Sequence, residues 1–186
     1  MSTAAAPPAK RSRRTPAHDD PRLRVWRAFL FAQSSLMPRL DADLRADVGL
    51  TLAEFDALLN LSFDRARRLR MSALADRVLL SRSGVTRLVD RLERDGYVRR
   101  EACAPDGRGS FAVLTDKGLE RVQAALPAHL ASVDAYFMDH IEAQDEASVI
   151  KSLGAVAEAN GRPLPSDEAS TAALDRAART GEDGPP

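Results

Sequence analysis

Cysteine is almost absent: Cys103 stands alone among 186 residues. One thiol excludes a disulfide within the chain, and a chain without a disulfide framework suits a reducing cytoplasm. No apolar run reaches the roughly 20 residues a membrane helix needs, so no membrane span or membrane partner is expected. Lys10, Arg11, Arg13 and Arg14 lie near the N-terminus without an apolar stretch behind them, which fails the secretory pattern. The three histidines, His18, His129 and His140, are not spaced as metal ligands. No Ser–His–Asp set, paired carboxylates, phosphate-cradling glycine loop or internal repeat stands out. The expectation is a protein without catalytic residues, metal or cofactor.

Charge is present in balance, 27 basic against 27 acidic residues, but it is unevenly placed. Residues 65–117 hold 13 Lys and Arg against 7 Asp and Glu, whereas residues 118–186 hold 5 against 12. A basic middle beside an acidic end is an electrostatic footprint for a polyanion.

The apolar pattern is helical over most of the chain. Residues 1–19, rich in Ala, Pro, Ser and Arg, read as a disordered basic tail. Asp20-Pro21 marks a helix start. Trp26, Phe29, Leu30, Leu36, Met37, Leu40 and Leu44 then recur at steps of three and four, with Pro38 expected to kink or split the helix. Thr51 and Glu54 form a capping box ahead of Phe55, Leu58, Leu59 and Leu61. Residues 64–70 read as a connection or short strand. Ser72 and Ser81 are placed as caps of two further helices, the second ending at Gly96. Tyr97–Cys103 and Ser110–Leu114 read as strands around a Pro-Asp-Gly turn. Thr115 caps a long helix that Pro127 should bend. Asp145 opens a last one, with Val149, Leu153 and Val156 inward. Residues 161–186 read as a flexible acidic tail.

The order helix, short helix, turn, helix, β-hairpin has the dimensions of a winged helix-turn-helix. In the second helix Val85, Leu88, Val89 and Leu92 face inward, and Arg82, Ser83, Thr86, Arg87, Asp90, Arg91 and Arg94 are left outside. Arginine reads guanine through two hydrogen bonds, and small hydroxyls near a helix N-terminus bond bases or phosphates. A charged residue at a hairpin tip, such as Arg108, is by itself only a solvated side chain.

Residues 71–78 (Met-Ser-Ala-Leu-Ala-Asp-Arg-Val), 81–93 from Ser81 to Glu93, and Gly96-Tyr97-Val98-Arg99-Arg100-Glu101 together resemble the core of the MarR family. Pro105-Asp106-Gly107-Arg108 is similar to that family's Asp-x-Arg wing tip, and Leu114-Thr115-Asp116-Lys117-Gly118 to its strand-to-helix junction. The resemblance runs from about 21 to 160. It implies a mainly α fold with a small β-wing, with a DNA-binding lobe at about 51–115. It implies dimerisation helices at about 21–47 and 116–160. It implies that the helix from Ser81 enters the major groove, that Arg108 reaches the minor groove, and that Asp106 helps hold the wing. The expected DNA-binding residues are Ser81, Arg82, Ser83, Thr86, Arg87, Arg91, Asp106 and Arg108. The long apolar faces of the terminal helices independently call for a partner, and a two-fold dimer supplies it.

The resemblance also implies a small aromatic or anionic effector bound between the lobe and the dimer helices. Asp56 and Arg87 fall where the urate-responsive members place ligand-linked residues. Those members carry a tryptophan on an extra helix, and Trp26 is too near Asp56 in sequence to be its equivalent. Trp26 is therefore read as core and Asp56 as a buried salt-bridge partner. Cys103, near the wing, reads as an inert thiol. The expected function is a cytoplasmic, dimeric repressor released from a palindromic operator by a small ligand. Two alternatives stay open: a winged-helix adaptor without DNA readout, and an oxidant sensor through Cys103.

Overall fold

Local chemistry sets the first boundaries of the fold. In the computed structural model, which describes residues 20–78, 82–102, 109–162, 164 and 174–175, the Asp20 carboxylate accepts the Arg22 backbone N–H at 2.9 Å and α1 follows (Arg22–Val48). The chain falls into two units, Met1–Ser35 and Leu36–Pro186. The first contributes the start of α1, on which Trp26 and Phe29 stack at 5.9 Å between ring centroids. The helix assignment continues through Pro38 without a break, because a proline removes one donor and not a whole turn. Leu40 and Leu44, in the second unit, are buried.

Thr51 opens α2 (Leu52–Ser62) with the expected capping box: its hydroxyl accepts the Glu54 N–H at 3.0 Å, and the Glu54 carboxylate accepts the Thr51 N–H at 2.9 Å. A short strand, β1 (Arg68–Arg70), leads directly into α3 (Met71–Arg77). Ser72 is therefore not the cap expected of it. Pairing with β3 holds Arg70 extended, so the helix begins at Met71 with Arg70 as N-cap and no side-chain cap bond. Then come α4 (Arg82–Arg94), β2 (Val98–Ala102) and β3 (Ser110–Leu114). The sheet is antiparallel in the order β1-β3-β2, with Leu69 opposite Ala112 and Val98 opposite Leu114.

Gly96, at φ +76°, ends α4 in a turn where the Tyr97 N–H bonds Leu92 O at 2.9 Å and the Gly96 N–H bonds Glu93 O at 3.0 Å. Thr115 caps α5 (Asp116–Tyr136), whose start lies hard against the hairpin. A Cβ on Gly118 would stand 2.2 Å from the Tyr97 carbonyl oxygen, so only glycine allows that approach. The helix assignment runs through Pro127 as it does through Pro38. A 3-10 turn (Met138–His140) leads to α6 (Glu146–Ala159).

The core lies inside the winged-helix lobe. Phe55, Leu58 and Leu61 of α2, Leu74 of α3, Leu88 and Leu92 of α4, and Val122 of α5 are almost fully buried together. The terminal helices differ from expectation. Trp26 is 54% exposed and Phe29 46%, so Trp26 is not core. On α6, Leu153 is 42% and Val156 61% exposed, and only Val149 is half-buried. Periodicity identifies an apolar face; it does not identify what covers it.

Candidate nucleic-acid interface

Helix α4 is held by its buried face. Val85, Leu88, Val89 and Leu92 pack towards α2, α3 and β2. Ser83, Thr86, Arg87, Asp90, Arg91, Glu93 and Arg94 are exposed. Arg82 starts the helix. Ser81, Cys103, Asp106 and Arg108, and the two terminal tails apart from Gly161, Arg162, Leu164, Leu174 and Asp175, lie outside the described residues.

The carboxylates of α4 are engaged by β2. Arg100 meets Asp90 Oδ1 at 2.6 Å and Glu93 Oε2 at 3.4 Å, its guanidinium donates to the Thr86 carbonyl at 3.3 Å, and its backbone N–H donates to Glu93 Oε1 at 3.0 Å. This cluster ties α4 to the wing and offsets the two acids. Among the described side chains, Arg87 and Arg94 then give the exposed face its charge, with Arg91 beside them. At the base of the wing, Arg68 and Arg70 both lie over the Phe111 ring, at 4.5 and 5.5 Å. Arg68 also meets Glu101 at 3.6 Å, and Arg99 pairs with the same carboxylate. Sequence reasoning named none of Arg68, Arg70, Arg99 and Arg100 as part of this surface. Their only signal was the general surplus of arginine.

Arg91 is exposed, as helical spacing implies, but it is paired. Its Nε donates to Glu54 Oε1 at 2.9 Å, which links α4 to the first turn of α2. Burial pushes the Glu54 carboxyl up. Hydrogen bonds from Thr51 and Arg91 more than offset this and leave it below the usual carboxylate range.

Asp56 also departs from expectation: among the described residues it has no salt-bridge partner, and no hydrogen bond or ion pair joins it to Arg87. Asn60 Nδ2 donates to its Oδ1 at 3.0 Å. Burial raises its carboxyl to about 6, with the charge of Arg162 acting in the opposite direction. Nearby on α5, His129 lies 4.7 Å from the Phe55 ring between centroids, and burial lowers its imidazole. Among the described residues, no cluster of three or more His, Cys, Asp or Glu is placed to hold a metal, and no helix is long and apolar enough to cross a membrane.

This architecture has known counterparts. The MarR family pattern matches residues 48–109. A MarR family transcriptional regulator from Streptomyces coelicolor, solved in complex with DNA, is 34% identical with a TM-score of 0.72, over 83% of this chain and 94% of that one. The chain belongs to the MarR family. AbsC, a second MarR family regulator from S. coelicolor, is 36% identical with a TM-score of 0.70, over 78% of this chain and 96% of its own. The transcriptional repressor YetL of Bacillus subtilis (strain 168) is 30% identical over 125 residues, 67% of this chain and 74% of YetL. An uncharacterised helix-turn-helix regulator of Bacillus cereus is 31% identical over 97 residues, and there the match spans only 63% of the relative's length. The MarR pattern covers α2 to the wing, and the structural likeness extends over the flanking helices.

Proposed function

We propose that the protein is a homodimeric, sequence-specific transcriptional repressor that grips double-stranded operator DNA with α4 and the wing and is released by a small aromatic or anionic effector. One observation carries this reading: α4 exposes Ser83, Thr86, Arg87 and Arg94 while Arg100 engages Asp90 and Glu93. Such a face suits the major groove, where Arg reads guanine and hydroxyls bond base edges or phosphates. In this reading Ser81, Arg82, Asp106 and Arg108 complete the contact. An adaptor would carry apolar or acidic residues where this chain carries Arg, Ser and Thr. The exposed apolar side chains of α1 and α6 support a two-fold dimer, and YetL, a relative, is named a repressor.

The decisive experiment selects bound sequences from random DNA with the purified protein and footprints the winners. The expected product is an inverted repeat with half-site centres about 10 bp apart, bound by a dimer. A monomer on one asymmetric half-site overturns the proposal. A promoter–reporter fusion with the selected repeat tests the sign of regulation. Titration of the operator complex with aromatic carboxylates tests release, and unchanged affinity counts against that part.

A further inference from the structure

The end of α6 reaches back to the helix-turn-helix. Gly161, at φ +79°, closes α6 with the Gly161 N–H on Glu158 O at 3.0 Å and the Arg162 N–H on Ala157 O at 2.9 Å. That paired closure fixes the backbone of Arg162 against α6. Beyond it the chain folds back: a Cβ on Gly154 would lie 3.0 Å from Leu164 Cδ1. Leu174 packs against the core of the lobe.

The Arg162 side chain leaves α6 and spans the C-terminus of α3. Its guanidinium donates to the carbonyls of Asp76, Arg77 (3.4 Å) and Val78 (3.3 Å). The last carbonyls of a helix have no partner within it, and a cation there also meets the negative end of the helix dipole. These carbonyls sit at the end of α3, ahead of α4 in the chain. Val78 is already extended, with its N–H still bonded to Leu74 O at 2.9 Å.

We infer that Arg162 is a positioning residue for operator readout: it clamps the exit of α3 to the end of α6 and thereby holds α3, against which α4 packs. The planar fork of arginine suits three carbonyls on one turn, which a lysine ammonium cannot span as well. The assignment rests on the proposed DNA-binding role, and it predicts an effect on specificity without a phosphate contact.

The test compares Arg162→Ala, Arg162→Lys and Gly161→Ala with the wild-type chain. Among the described residues, nothing beyond its chain neighbours lies within 4 Å of a Cβ at Gly161, so that substitution acts through backbone strain and mis-aims an intact Arg162. Arg162→Ala and Gly161→Ala are expected to weaken operator binding about tenfold at fixed salt, with Arg162→Lys intermediate. Non-specific affinity, salt slope and dimer mass should stay the same. In free protein, hydrogen exchange should quicken in α3 and at the start of α4, and not in β3 or α5. Loss on all sequences with a salt slope lower by about one would make Arg162 a phosphate contact and overturn the inference. Faster exchange with unchanged operator affinity would overturn it too, as would unchanged exchange. If the wild-type chain selects no operator while the exchange pattern changes as stated, the clamp stands and the DNA-binding reading falls.

Discussion

Arg91 and Glu54 are 37 positions apart, yet Nε of one donates to Oε1 of the other at 2.9 Å, and Glu54 at the same time caps α2. One carboxylate therefore links the start of α2 to α4. Glu54→Ala should cost about 1–2 kcal/mol through loss of the cap and ion pair together. A double-mutant cycle with Arg91→Ala should show a coupling of about 0.5–1 kcal/mol in chemical denaturation. Additive losses would mean that the pair contributes nothing in solution. Because the Glu54 carboxyl is depressed in the fold, its contribution is present above the unfolded value near 4.3 and is lost as pH falls through the folded value.

The acid limb of stability should also carry the mark of Asp56. Its carboxyl is raised to about 6 by burial, so the folded chain binds this proton more tightly than the unfolded one. The sign is opposite to that of Glu54: this group lets stability rise as pH falls from about 6 towards 4, and penalises the fold above about 6. Asp56→Asn keeps an acceptor for Asn60 and removes the buried charge. It should raise stability at pH 7 by about 1–2 kcal/mol after allowance for partial solvent exposure, and leave it unchanged near pH 4. His129, lowered by burial, acts the other way, and its share of stability is lost as pH falls below 6.5. Thermal melts of Asp56→Asn and of the wild type from pH 4 to 8 isolate the share of Asp56. A melt of Asp56→Asn parallel to the wild type throughout would refute the assignment.

What was legible in the chain was local. The Thr51–Glu54 box and the Thr115 cap close over three residues, so residue type and spacing suffice to find them. Strands β2 and β3 announce themselves through the turn between them. The pairing of β1 with β3, the Arg100 cluster on α4 and the Arg162 clamp join residues far apart in sequence. Thirteen basic residues crowd the span 65–117, so sequence cannot say which arginine meets which acid. The same limit explains Arg91: helical spacing puts it outside, where it is, but cannot show that it pairs with Glu54 on α2. On α6 the three-and-four spacing marks an apolar stripe, but Leu153 and Val156 stay exposed, because spacing does not say whether the chain's own lobe covers a stripe.

Arg87 offers the sharpest test of base readout. It is exposed on α4 with no ion pair to Asp56, and it sits one turn into the helix. Arg87→Ala should weaken operator binding by about 1–3 kcal/mol and relax preference at one base pair of each half-site. Competition binding with single-base operator variants measures this. An equal loss on every variant would assign Arg87 to the phosphate backbone.

The terminal faces give the last test. Ile150, Leu153 and Val156 lie at helical spacing on α6, and each is exposed, Ile150 and Val156 by 61%. In the proposed dimer these three apolar side chains would form the centre of an interface that charge should disrupt, since a buried unpaired carboxylate costs several kcal/mol. Leu153→Glu should shift the protein to monomer in sedimentation at micromolar concentration. The lobe should keep its fold, because Leu153 takes no part in its core. Operator affinity should fall by orders of magnitude with the dimer, whereas a single half-site should still be bound weakly. If Leu153→Glu stays dimeric and binds the operator normally, the α6 face is not the interface.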